Sequence, residues 1–459
     1  MSYRVRVASV YLLGFFIDLV NMFIANVAYP QIGRHFDAPV SQLAWISNGY
    51  ILGLTLVIPL SSWLARRLGA KRLFMLSLII FIAGTCGVSA STSVSQLIIW
   101  RWIQGVGGGL LIPVGQTLTY ALYQSNERAK LSSIVMLVAL FAPALSPAIG
   151  GMLVENFSWR WVFLVSLPLA IVTLVLAGLW LKPVRTKTSS DPLDLAGLVS
   201  GCAALTLILL GLTYVGEAGQ RAKGAIMLLA GFITLTGYVS SALKKRHPLL
   251  NLHLVKDPLL YSAMLIYQFI PGVFMGISMI TMLFLQNQLR MHASLVGALM
   301  LPWSLASFAA ITLTGKKFNR WGPRPLFVTG CLVQALGMAM LALTGHGADT
   351  LVCILAFALM GFGGSLCSST AQSSAFIQIP KDALADASAL WNINRQLSFC
   401  LGVTLVGLLF NLIANTGRPV EQTYHLCFIV AACSAVIPVL CALRIANHKV
   451  VLTLNKEQK

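Results

Sequence analysis

Apolar stretches of about 20 residues recur along the whole chain, separated by short polar segments. A helix needs about 20 mostly apolar residues to cross the hydrocarbon core of a bilayer. Fourteen such spans are expected, at 7–29, 43–64, 73–91, 95–122, 131–154, 160–181, 194–214, 223–243, 259–286, 294–315, 325–344, 350–379, 387–413 and 424–445. One carboxylate, Asp18, sits deep inside any of them. An ionised group at a helix centre in lipid costs roughly 2.5–3.5 kcal/mol on insertion scales, so a chain that keeps one there generally uses it.

Composition agrees with the pattern. Hydrophobic residues make up 57% and charged residues 10%, with a mean hydropathy of +0.82. A soluble domain carries about 25% charged residues, so that class is excluded. The first stretch, 7–29, is too long for a cleaved signal and is followed by no A-x-A-like site, so it reads as the first membrane helix. A net charge of +19 would suit nucleic acid, but the basic residues lie in short loops, which excludes that partner. Placing the N-terminus inside puts 24 of the 32 Lys and Arg in inner segments and six in outer loops. Arg101 and Arg395 lie within spans. This bias predicts a multi-pass protein of the inner (cytoplasmic) membrane with both termini cytoplasmic.

The longest inner links, 182–192 and 244–258, divide the chain as six, two and six spans. The expected units are residues 1–185, an inserted pair at 186–250, and residues 251–459 with a short tail. SSWLARRLGAKR (61–72) follows the second span of the first six, and TGKKFNRWGPRP (314–325) follows the second span of the last six. Repeated halves are a common basis of alternating access in transporters. The inserted pair carries almost no polar residues and is expected to face lipid, outside any transport cavity.

The chemistry-bearing positions are few. Asp18 lies about 16 Å into the first span at 1.5 Å per residue. It reads either as a group that takes a proton from outside and releases it inside, or as a structural acid with Arg101 as partner. RWIQGVGGGLLIP (101–113) sets Arg101 and Gln104 one turn apart on one face, and its glycines allow close helix approach. Arg101 reads as a coupling group or as a pin on neighbouring carbonyls. APALSPAIGG (142–151) spaces Pro143, Pro147 and Gly151 on one kinked, small-residue stripe. NINRQL (392–397) holds Asn392 and Arg395; Arg395 either faces the bundle or snorkels inward. Further cavity candidates are Asn48, Tyr50, Gln116, Gln268, Gln286 and Trp303, for which plain interhelix packing is the competing reading. The nine cysteines are scattered without a C-x-x-C pair, and the seven histidines lie in loops or at span ends. No metal site, cofactor site or nucleophile–base constellation emerges, so an enzyme is not expected.

Taken in order, several stretches resemble the major facilitator superfamily, in its 14-span drug:proton antiporter branch. They are the loop at 61–72 and its repeat, R-x-x-Q-G from Arg101 to Gly105, and the proline-glycine stripe at 142–151. W-R-W-x-F-L-x-x-x-P at 159–168, LQN at 285–287 and ASALWNINRQLSFCLGV at 387–403 complete the set. The resemblance implies an all-α membrane protein with two six-helix bundles and two inserted central helices. It implies proton-coupled efflux of amphipathic drugs or toxic compounds by alternating access. Its partners would be a small-molecule substrate, protons and the lipid bilayer; a periplasmic adaptor is an option, the chain being otherwise a monomer. Proton coupling would fall to Asp18, Asn21, Arg101 and Gln104, and conformational change to Gly69, Arg72, Pro143, Pro147, Gly150, Gly151 and Gly322.

The departures are specific. Anchored on NVAYP (26–30), the family's acid in the first helix falls on Asn21, and Asp18 lies one turn earlier. The acid of the 61–72 motif is replaced by Arg66, and its repeat carries Asn319, so the acid that gates the inner face is expected to be missing. The first two glycines of the stripe are Ala142 and Ser146. Two rival readings stay open: an exporter of a specific metabolite or organic anion, favoured by two intramembrane arginines and few acids, and a sensor or lipid-handling protein on the same scaffold.

Overall fold

A computed structural model describes residues 1–38, 40–183, 193–216, 219–245, 248–291, 296, 298–344 and 350–456. Among these no strand occurs, and the chain is a succession of long helices. They are α1 (Tyr3–Phe36), α2 (Val40–Leu68), α3 (Ala70–Ser89), α4 (Val94–Tyr120), α5 (Ser125–Asn156) and a broken α6 (Trp159–Leu164 and Leu167–Trp180). Next come α7 (Leu195–Gly216) and α8 (Arg221–Lys244). Then follow α9 (Pro258–Tyr267 and Val273–Leu283), α10 (Met300–Trp321), α11 (Pro323–Leu341), α12 (Thr350–Ser374) and α13 (Leu384–Ala414). Last are a broken α14 (Val420–Ser434 and Val436–Leu443) and a short α15 (Asn447–Lys456).

Among the described residues, twelve helices are long and apolar enough to cross a membrane; α5 and α10, both expected as spans, are not among these twelve. These two helices pack on each other.

The breaks follow local chemistry. Gly69 (φ 82°) separates α2 from α3, and Gly322 (φ 76°) separates α10 from α11 at the equivalent point of the repeat. Positive φ is the region a glycine enters at no steric cost. At the second break Asn447 donates to Trp321 O at 2.8 Å and accepts from Arg324 N at 3.0 Å. Arg72 is exposed at the start of α3. A π turn at Gln268–Gly272, holding Pro271, interrupts α9 where the missing N–H cannot serve an α-helical bond. There the backbones of α9 and α13 approach so closely that a Cβ on Gly402 would meet Gly272 O.

Helices α1–α6 pack among themselves, as do α9–α14. The N-terminus, the α2–α3 and α10–α11 turns and α15 share one end of the bundle, called here the terminal end. Arg4 pairs with Glu127 at 2.6 Å there. α7 and α8 form a hairpin, its backbones brought together at Gly211 and Gly224. Lys245 clips its two ends through Asp194 at 2.6 Å. Asp194 also accepts from Gly197 N at 2.9 Å. Burial would push the Asp194 carboxyl up, but these donors and the Lys245 charge hold it below its usual range.

The expectation that the inserted pair faces lipid needs correcting for one member. α8 is largely exposed, with Ile226, Leu229 and Ile233 on its surface. α7 instead packs on both α2 and α13 and so lies over the seam between the two bundles. Its uniform hydrophobicity says only that it avoids water, and protein and lipid satisfy that equally.

Candidate functional site

The terminal end is sealed by contacts between the two bundles. Asn319 donates to Asn126 O at 2.6 Å, Ser125 to Ile377 O at 3.4 Å, and Arg128 to Phe376 O. Deeper in, Trp391 Nε1 donates to Gln372 Oε1 at 2.7 Å, and Gln372 donates to the Tyr120 hydroxyl at 3.3 Å. Arg66 at the last turn of α2 pairs with Asp386 in the first turn of α13 at 3.2 Å. The position expected to lack its acid thus has one opposite it: the base stands on α2 and the acid on α13. Each charge also suits its helix end, basic at a C-terminus and acidic at an N-terminus.

Above the seal, α1, α2, α3 and α4 enclose a buried polar cluster. Asp18 is 1% exposed, while Tyr50, Arg101, Gln104 and Asn21 are fully enclosed. Tyr50 Oη donates to Asp18 Oδ1 at 2.5 Å. The Arg101 guanidinium stacks on the face of the same Tyr50 ring, 4.2 Å from its centroid. Arg101 donates to Gln104 Oε1 at 2.8 Å, Ile46 O at 3.2 Å and Asn21 O at 3.3 Å. Gln104 Nε2 donates to Asn21 Oδ1 at 3.0 Å and Thr85 Oγ1 at 2.8 Å. Asn21 Nδ2 returns to Ile17 O at 3.1 Å.

Asp18 and Arg101 form no ion pair. The ion pairs among the described residues are those of Arg4, Arg66 and Lys245. Tyr50 stands between the two, bonded to one by its hydroxyl and to the other by its ring. Arg395 of α13 reaches across the seam to the Phe15 ring, 5.4 Å to the centroid, within electrostatic reach of Asp18.

The glycines of α4 make this packing possible. A Cβ on Gly108 would strike Asp18 Oδ1 and Tyr50 Oη, and one on Gly105 would strike Tyr50 O. Overpacking of this kind costs about 1–3 kcal/mol. Gly105→Ala should lower the thermal unfolding midpoint of the detergent-solubilised protein. Gly237→Ala on α8, where a Cβ meets no atom within 4 Å, should leave it unchanged. Equal midpoints would show that α2 and α4 have slack.

The other candidates are dispersed. Gln116 accepts from Asn392 across the seam at 3.0 Å. Gln268 donates to Asn394 Oδ1 at 2.8 Å inside the second bundle, and Trp303 stacks on Phe274. Gly150 lies against Ile24 and Val27 of α1, whereas a Cβ on Gly151 would meet nothing within 4 Å. The side chains of Pro143 and Pro147 lie outside the described residues. Asn48 lines a cavity of about 550 Å³ between α1, α2, α7, α9 and α13, in the half of the molecule away from the terminal end. Among the described residues, helices α4 and α10 contribute none of its lining. Thr85, Asp386 and the α7 residues were not legible as site residues. Only an acid in the first turn of α13 hinted at Asp386.

The sealed end, the mid-depth acid and the paired bundles define a membrane transporter. Residues 11–403 match the Major Facilitator Superfamily, and the chain belongs to it. It is 30% identical over 406 residues to "Putative multidrug resistance protein MdtD" of Yersinia pestis (strain Pestoides F), spanning 88% of this chain and 86% of that one. The same figures hold for the protein of that name in Yersinia pseudotuberculosis serotype O:1b (strain IP 31758). In fold it resembles the human organic anion transporter MFSD10 (TM-score 0.71, 14% identity, 96% of this chain and 100% of that one). It also resembles the proton:xylose symporter XylE (TM-score 0.66, 15% identity, 96% and 95%). The chain is a multi-pass membrane transporter and not an enzyme.

Proposed function

We propose that this chain exports amphipathic compounds from the cytoplasm across the inner membrane in exchange for protons, with Asp18 as the proton carrier. The observation that carries the reading is the placement of Asp18: enclosed and hydrogen-bonded by Tyr50, whose ring Arg101 covers, with Arg395 of the other bundle over the Phe15 ring one turn away. A carboxyl there couples its charge to the seam that alternating access must open and close. The 30% identity to the MdtD proteins supports drugs as cargo. Among the described residues the cavity wall holds no charged one, which weighs against an organic anion. Reconstituted vesicles test the reading: adding a lipophilic compound should release protons only where the protein is present. Compound movement without proton movement would remove antiport.

The terminal end is the cytoplasmic one, from the 24-to-6 bias of basic residues. A cysteine placed at Gln220, between α7 and α8, should react with an impermeant thiol reagent added outside intact cells. Reaction only after permeabilisation would reverse the topology.

A further inference from the structure

The cavity has a wall that the two bundles do not supply. Leu209, Leu210, Leu212 and Thr213 come from α7. That helix is fixed on both flanks, Cys202 Sγ donating to Leu56 O of α2 at 3.4 Å and Thr404 Oγ1 of α13 donating to Leu212 O at 3.5 Å. Among the described residues no Asp, Glu, Lys, Arg or His lines the space, so a charged guest would lose its hydration without gaining a counter-charge there. The polar side chains on the wall include Asn48, Thr213, Gln396 and Asn411. Gln396 is the most enclosed of them, 3% exposed, and buried amides are ordinarily satisfied, so a guest in the space can bond to its amide. Gly407 lines the same wall, and a Cβ there would meet no atom within 4 Å.

We infer that α2, α7, α9 and α13 form a binding site for an uncharged amphipathic molecule. Its apolar body lies against the leucines of α7 and against Met279 and Phe399, and its hydroxyl or carbonyl bonds to Gln396. α7 is then a specificity wall of the transport path. This rests on the reading of the chain as an exporter of amphipathic compounds and narrows its cargo to neutral ones.

Photolabelling of the full-length protein in phospholipid vesicles tests it, using a diazirine-bearing decanol with decanoate and decyltrimethylammonium analogues. The alcohol should label α7 and α13 saturably, with excess plain decanol protecting, and the charged analogues should not. Gly407→Phe should abolish the saturable component. Gln396→Leu should raise the half-saturating alcohol concentration about tenfold and leave a diazirine-bearing decane unaffected. Labelling that rises without saturation would mean that bulk lipid fills the space, and equal labelling by the charged analogues would mean that the wall does not select; either overturns the inference. No pH gradient is used, so a failure of proton coupling leaves this readout intact and the two claims fail separately.

Discussion

Asp18→Asn should reduce pH-gradient-driven export in vesicles to the protein-free background. The variant should still insert and keep its thermal unfolding midpoint within a few degrees. An amide replaces the carboxyl with nearly the same shape and still accepts from the Tyr50 hydroxyl, now at 2.5 Å from Asp18 Oδ1. What it lacks is the ability to exchange a proton, and among the described residues Asp18 is the acid enclosed deep within a span. Adding Asn21→Asp should restore part of the activity. Position 21 is one turn along the same face and belongs to the same network through Gln104. Recovery should stay partial, because a carboxyl there faces Gln104 and Arg101 and loses the Tyr50 hydroxyl. Full pH-driven export by Asp18→Asn alone would make Asp18 structural and move the coupling site elsewhere.

The second large effect concerns the seal. Arg66→Asp should place two acids opposite each other at the terminal end, where Arg66 and Asp386 are now 3.2 Å apart with side chains 33% and 13% exposed. A partly exposed pair contributes up to about 1 kcal/mol, so replacing attraction by repulsion shifts the balance by about 1–2 kcal/mol. That is a five- to thirty-fold loss of the sealed state relative to the open one. Spin labels on the terminal ends of α5 and α12 should report the widening, and export should fall with it. The exchanged pair Arg66→Asp with Asp386→Arg should recover the short distance, though each charge would then oppose its own helix end and recovery should be incomplete. If the exchange rescues nothing, the pair is incidental and the backbone acceptors around Arg128 and Asn319 hold the seal.

The resemblance implies a coupling acid in the first helix and a gating acid in the 61–72 loop. In α1 the acid is Asp18, one turn before the family position at Asn21, and at the loop Arg66 pairs with Asp386 of α13. A motif comparison reads the loss at position 66 but has no means of reading the gain at 386, which lies 320 residues away.

The sequence by itself determined what depends on one segment at a time. Apolar runs mark helices because each must solvate its own length in lipid. Gly69 and Gly322 mark the breaks because positive φ is a property of one residue. The spacing of Arg101 and Gln104 fixes their shared face because a helix repeats every 3.6 residues, and they bond at 2.8 Å. The tertiary structure alone decided which groups meet between segments. Tyr50 stands between Asp18 and Arg101, Asp386 answers Arg66, and α7 leaves the lipid to wall the cavity. Those outcomes depend on how far each helix is rotated and slid against its neighbours. That is set by the summed packing of glycines and side chains across many helices, and no single stretch of the chain encodes it.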